Sequence, residues 1–249
     1  MRSTPPTKPG NRSTYLHRQV IGYLGLILPV LLWFMAGERP TEGIPERWGL
    51  LPSASAYYYT GAVVAFVGVL AALAVFLLTY RGYDNGQWKD RTAATIAGLA
   101  AILVASFPTG APASVPPPSW WTERIGLIHG TAATVLFASF IFFSLFLFTR
   151  SNTKKPTAGK QTRNAIYVVC GLAMTSCMLW AIVQGTRKAP IFWPEALALE
   201  FFALSWLAKG RAEYTAGVVV ARTIHYGRHP HLLLERARGG SGARKGAHE

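Results

Sequence analysis

Residues 128–148 read IHGTAATVLFASFIFFSLFLF. The stretch contains no Asp, Glu, Lys or Arg, and His129 is its single ionisable group. A hydrocarbon core about 30 Å thick is crossed by about 20 helical residues. Backbone inside lipid must satisfy its own N–H and C=O groups, which leaves only helices and closed barrels. Barrel strands run about 10 residues and alternate apolar with polar. This run is longer and does not alternate, so it predicts a transmembrane helix.

Five further runs share that character. The predicted spans are Val20–Gly37, Tyr57–Tyr80, Thr92–Pro108, Ile125–Thr149, Asn164–Gly185 and Pro190–Ala208, the third being the shortest. None contains Lys or Arg, as the cost of placing such charges in lipid requires. Composition agrees: 14% of the 249 residues are charged and 51% are hydrophobic, where a soluble domain has about 25% charged. That excludes a disordered chain and argues against a soluble globule. The expected architecture is all-α, a polytopic bundle of six transmembrane helices.

The net charge of +14 resembles a nucleic-acid footprint until its distribution is followed. Twenty Lys and Arg fall on one side of the six spans: in the N-terminal segment, in the loops after spans two and four, and from Lys209 onward. Five fall on the other: Arg39, Arg47, Arg124, Arg187 and Lys188. Positive charge stays in the cytoplasm, so both termini are predicted there, in a multi-pass protein of the cell membrane. The expected divisions are a cytoplasmic segment 1–19, a membrane domain 20–209 and a basic, partly disordered tail 210–249. The first apolar run lacks a convincing cleavage site and is read as a retained helix. Within the tail, EYTAGVVVARTIHY (213–226) could lie along anionic headgroups, each basic residue contributing about 1 kcal/mol. Trp48, Trp120, Trp121 and Trp193 fall at outer span ends and Trp88 and Trp206 toward the inner side, where amphipathic rings anchor.

Small residues let helices approach in lipid. Span two offers the stripe Gly61, Ala65, Gly68 and Ala72, span four has Gly126, Gly130 and Ala133, and span six has Ala196 and Ala203. Ionisable groups within spans are the default functional candidates. Glu200 lies about 9 Å into span six by the helical rise, and His129 enters span four from the same side. Together they predict an outer polar pocket, weighed against an ordinary structural hydrogen bond. Glu195, in the first turn of its helix, complements the helix dipole; Tyr57, Tyr58 and Thr109 open or follow spans at the same level. At the cytoplasmic rim, YRGYDNGQWKDR (80–91) sets Asp84 and Asp90 among Arg81 and Lys89, read as solvated pairing or, more sharply, a lipid-headgroup site.

No catalytic constellation is present: there is no GxSxG elbow, HExxH, P-loop or dinucleotide fingerprint. Cys170 and Cys177 fall about 10 Å apart along one helix, too far for a disulfide or a shared ion. His225, His229 and His231 are irregularly spaced and lack a carboxylate or thiol cluster. No metal and no cofactor are expected.

The segments YYYTGAVVAFVG (57–68), LLTYRGYD (77–84), FPT (107–109), IHGTAATVLFASFIFFSLFLF (128–148), YVVCGLAM (167–174) and EALALEFFALSWLAKG (195–210) resemble a widespread bacterial family of six-helix membrane proteins without assigned function. The layout is distantly similar to DRAM-type proteins. The resemblance implies importance for Tyr57, Tyr58, Arg81, Asp84, Pro108, Thr109, His129, Glu195, Ser205 and Lys209. It also implies polar residues early in span two, where this chain has Tyr59, Val63 and Val64. It supplies no activity.

The first functional expectation is therefore a non-enzymatic membrane protein that handles or senses lipid or a partner. Membrane lipids are its expected partners, through anionic headgroups at the inner face, with a homo-oligomer or another membrane protein as further possibilities and no nucleic acid. A small proton-sensitive transporter ranks second, since one Glu and one His are thin lining for a path. An intramembrane lipid-modifying enzyme ranks third.

Overall fold

A computed structural model describes residues 9–39, 46–80, 82, 87–113, 115–150 and 158–211. Residues 1–210 form one compact unit, to which everything below belongs; a second, 211–249, is described only at Arg211. The described residues form six α-helices: α1 (Pro9–Met35), α2 (Val63–Leu78), α3 (Gln87–Ser106), α4 (Glu123–Phe142), α5 (Ala158–Thr186) and α6 (Phe192–Lys209). A five-residue π segment, Phe143–Leu147, continues α4. A two-residue antiparallel pairing joins Glu38–Arg39 to Glu46–Arg47.

Consecutive helices lie side by side, and α6 packs against both α5 and α1, closing a ring. Contacts at the two ends show that the helices alternate in direction. Arg18 and Gln19 of α1, Tyr80 after α2, Asp90 of α3, Arg150 after α4, Lys160 of α5 and Lys209 of α6 meet at one end. Residues 52–60, Phe107–Thr109, Trp121, His129 and Glu195 interlock at the other. They are called here the Lys209 end and the His129 end.

Three segments are long and apolar enough to cross a membrane: Ser13–Met35, Glu123–Leu147 and Ala158–Thr186; Val63–Leu78 is apolar but shorter. Large apolar side chains are exposed on every helix, among them Phe34, Val64, Leu99, Leu127, Leu172 and Leu204. This surface far exceeds what a soluble monomer leaves uncovered.

Inside the ring the core is aromatic. Phe140 stacks on Phe202 at 3.7 Å between ring centroids. Tyr80, Phe143 and Phe148 surround Trp206 at 5.0–5.2 Å. Trp206 is fully buried and Trp48 nearly so, so neither is the interfacial anchor that its position suggests; both are packing residues. The predicted start of the second span also moves. Ser55–Tyr59 forms a 3-10 turn and α2 begins only at Val63, because Tyr57 is drawn inward against Phe192. At the other terminus of the domain, α1 reaches back to Pro9 and runs through Pro29 without a break.

The small-residue stripe of span two is used at one end only. Gly61 lies so near the end of α1 that a Cβ would fall 2.8 Å from the Met35 carbonyl oxygen, whereas at Gly68 a Cβ meets nothing. Tight crossings lie between α2 and α3, where a Cβ at Gly98 would fall 3.2 Å from the Ala74 carbonyl oxygen, and between α1 and α6. A Cβ at Gly22 would fall 2.7 Å from Leu207 Cγ and 3.1 Å from the Ala203 carbonyl oxygen. Alanine stabilises a helix by about 1 kcal/mol over glycine, but overpacking costs about 1–3 kcal/mol. Gly22→Val should therefore lower the thermal midpoint in detergent by several degrees, while Gly68→Val should leave it within a degree or two. Equal effects of the two would contradict the α1–α6 crossing.

Candidate functional site

The polar residues singled out from the sequence collect at the two ends. At the His129 end, α3 stops at Ser106, and Pro108 cannot donate a backbone N–H, so terminal carbonyls of α3 need other partners. His129 supplies one. Its Nδ1 donates to the Phe107 carbonyl at 2.6 Å, which fixes the proton on Nδ1. Tyr59 donates its hydroxyl proton to the Thr109 carbonyl at 2.6 Å, and Trp121 Nε1 donates to the Pro108 carbonyl at 3.3 Å. One histidine, one tyrosine and one tryptophan thus tie the turn after α3 to α4 and to the chain before α2.

Glu195 has a comparable role. The Ala54 N–H donates to its carboxylate at 2.7 Å, and the N–H groups of Ile191 and Phe192 donate to the Pro52 carbonyl at 2.6 and 3.0 Å. The carboxylate therefore binds a specific backbone amide as well as standing in the first turn of α6. Tyr57 and Tyr58 lie within this interlock, Tyr57 buried and Tyr58 partly so. His129 and Glu200 are not brought together: no hydrogen bond or ion pair joins them among the described residues, and α4 and α6 meet only slightly. His129 is instead committed to the end of α3, and Glu200 is partly buried on α6.

The Lys209 end is a different kind of structure. Asp90 is only 2% exposed, and Arg150 donates to its carboxylate at 2.5 Å. The π segment helps set this geometry: its wider turn bonds the Phe148 N–H to the Phe143 carbonyl at 2.9 Å, shifting the residues that follow. Ser144 within it is fully buried and bridges the Tyr167 carbonyl at 3.0 Å and the Ser205 hydroxyl at 2.9 Å, linking α4, α5 and α6. Lys160 Nζ donates to the Phe148 carbonyl at 2.8 Å. Gln19 Nε2 donates to the Gly210 carbonyl at 2.8 Å, stitching α1 to the end of α6.

Lys209 and Arg18 are 4% and 7% exposed. Lys209 Nζ sits 4.7 Å from the Phe148 ring centroid and 5.8 Å from that of Tyr167. Arg18 lies over Tyr80 at 5.8 Å, and Lys160 over Tyr167 at 5.5 Å. Arg18, Asp90, Arg150 and Lys160 all act electrostatically on Lys209. Of the three rim candidates, Lys209 is thus central, while Arg81 and Asp84 lie outside the described residues. Gly82 between them packs on Asp90 so closely that a Cβ would overlap the carboxyl group. Asp90 is not the solvated acid expected from its sequence neighbourhood. Arg18, Arg150 and Lys160, read from the sequence only as topology-setting charge, belong to the same cluster.

No protein-family model matches the chain, and neither a curated protein nor a solved structure matches it.

Two outcomes follow. Asp90 and Arg150 should be coupled: a double-mutant cycle of Asp90→Asn and Arg150→Met, read by unfolding from mixed micelles, should give an interaction of about 1 kcal/mol or more, and additivity would contradict the pair. At the other end, Glu195→Ala should lower the thermal midpoint more than Glu195→Gln, which retains an acceptor for Ala54; the reverse order would contradict that contact.

Proposed function

We propose that the chain is an integral protein of the cell membrane in which all six helices cross the bilayer, with the Lys209 end and both termini at the cytoplasmic face. We propose further that it acts without catalysing a reaction, by engaging membrane lipid at that face. The observation that carries this reading is the exposure of large apolar side chains on all six helices. α3 and α6 fall short of the length and hydropathy of the three longest apolar segments, yet they expose Ile96, Leu99, Leu103, Leu197 and Leu204 just as those segments do. A helix with such a face needs lipid or another protein against it.

Orientation rests on the twenty-to-five division of Lys and Arg together with the shared end at which Arg18, Lys160 and Lys209 meet. The lipid-engaging role rests on chemical inventory. Among the described residues, the apolar girdle holds few ionisable groups, and two of them, His129 and Glu195, are taken up by backbone partners. That leaves thin material for a conducting path. The concentration of charge lies where headgroups would be.

Single-cysteine labelling in intact cells tests the orientation. Cysteines placed at 45, 115 and 188 should react with a membrane-impermeant maleimide, and those at 85, 155 and 240 should react only after permeabilisation. Labelling of the second group in intact cells would overturn it.

A further inference from the structure

We propose that the seam between α3 and α4 is a lipid groove, in which one acyl chain of an anionic phospholipid lies along the two helices with its phosphate at Lys89. The proposal rests on the membrane placement given above, with the Lys209 end at the inner leaflet. Two recesses, of about 640 and 480 Å³, open along this seam. Both are lined by Ile96 and Val135, so they join into one furrow. It runs from Trp88 and Phe142, toward the Lys209 end, to Leu103 and Leu127, toward the His129 end.

The sequence accounts for the shape of the furrow. On α3 the lining falls at positions 89, 92, 93, 96, 99, 100 and 103, a spacing of three and four that keeps to one face of a helix. On α4 positions 128, 131, 132, 135, 138, 139 and 142 do the same. Ala93, Ala100 and Ala132 are buried, whereas Leu99, Leu127 and Phe142 stand exposed beside them. Small side chains thus form the floor and large apolar ones the banks. Such a recess suits a flexible hydrocarbon chain.

Charge enters the lining at one end. Lys89 is exposed there, with its Nζ 5.4 Å from the centroid of the Trp88 ring. A ring face attracts a cation through its quadrupole, which holds the ammonium at the mouth of the furrow. The exposed Thr92 lies about one turn deeper along the same wall. From Ala93 to Leu103 the helix rises about 15 Å, which is half of a hydrocarbon core about 30 Å thick. A positive charge at headgroup level followed by one leaflet's depth of apolar wall complements an amphiphile with an anionic head. A zwitterionic lipid, or an apolar helix face of a second copy, would leave that charge without a match.

The experiment places the full-length protein in phosphatidylcholine bilayers containing a trace of phosphatidylglycerol, or of phosphatidylcholine, that carries a diazirine on one acyl chain. After irradiation the labelled residues are mapped by peptide mass spectrometry. Labelling of Ile96, Leu99 and Val135 is normalised to that of Val169 and Leu172, exposed residues of α5. Phosphatidylglycerol should then exceed phosphatidylcholine about fivefold, the effect of one basic residue at headgroup level. Lys89→Gln, at an exposed position, should remove that excess. Ala138→Phe, also exposed and lining the furrow, should lower labelling there by both probes and leave α5 unchanged. Equal labelling by the two lipids, or an excess that survives Lys89→Gln, overturns the inference. So does an unlabelled furrow beside a labelled α5, the result expected if a second copy or another protein covers the seam. Those failures leave the membrane reading intact, whereas no labelling on any helix, with native protein recovered in buffer without detergent, would remove both.

Discussion

The ion pair between buried Asp90 and partly exposed Arg150 closes the end of the bundle at which all the helices converge. A carboxylate that is 2% exposed is tolerated only where its charge is matched, and the match requires α3 to lie against the end of α4 in one register. The π segment and the Ser144 bridge to α5 and α6 lie within a few residues of Arg150, and the Gln19 contact with Gly210 ties α1 to α6 at the same end. Between this end and the other, apolar packing between helices is only weakly directional. The polar contacts at the two ends are what specify which helix neighbours which.

The two ends solve one problem in different ways. At the His129 end the polar side chains meet backbone: His129, Tyr59 and Trp121 donate to carbonyls after α3, and Glu195 accepts from Ala54. Together these long-range contacts fasten loops to helix ends. At the Lys209 end the side chains meet one another and aromatic faces. The first end reads as a structural clasp. The second is held together by charge: Asp90 pairs with Arg150, and Lys209, Arg18 and Lys160 rest on aromatic rings.

Much of the helical layout was legible in the sequence because the cost of a charge in lipid leaves a plain mark, long runs without Lys or Arg. Span ends were less legible. Tyr57–Tyr59 continue the apolar run of α2 on paper, but the contact of Tyr57 with Phe192 pulls them into a separate turn. Trp206 sits at a span end, where an indole commonly anchors, and nothing local reveals that Tyr80, Phe143 and Phe148 converge on it. Lys209 stands out in the sequence as a candidate, whereas Arg18, Arg150 and Lys160 read as topology-setting charge, because position along the chain does not register burial. His129 is legible in the sequence and its partner is not: the acceptor is the backbone carbonyl of Phe107, which no side-chain pattern displays.

The central claim is that all six helices, and not only the three longest apolar segments, face lipid. Spin labels placed singly at Val30, Val64, Leu99, Leu127, Leu172 and Leu204, in protein reconstituted into bilayers, test it through collisions with dissolved oxygen and with a water-soluble nickel chelate. All six positions should be accessible to oxygen and shielded from nickel, Leu99 and Leu204 included. Nickel accessibility at Leu99 or Leu204 matching that of a label at exposed Arg124 would contradict the account.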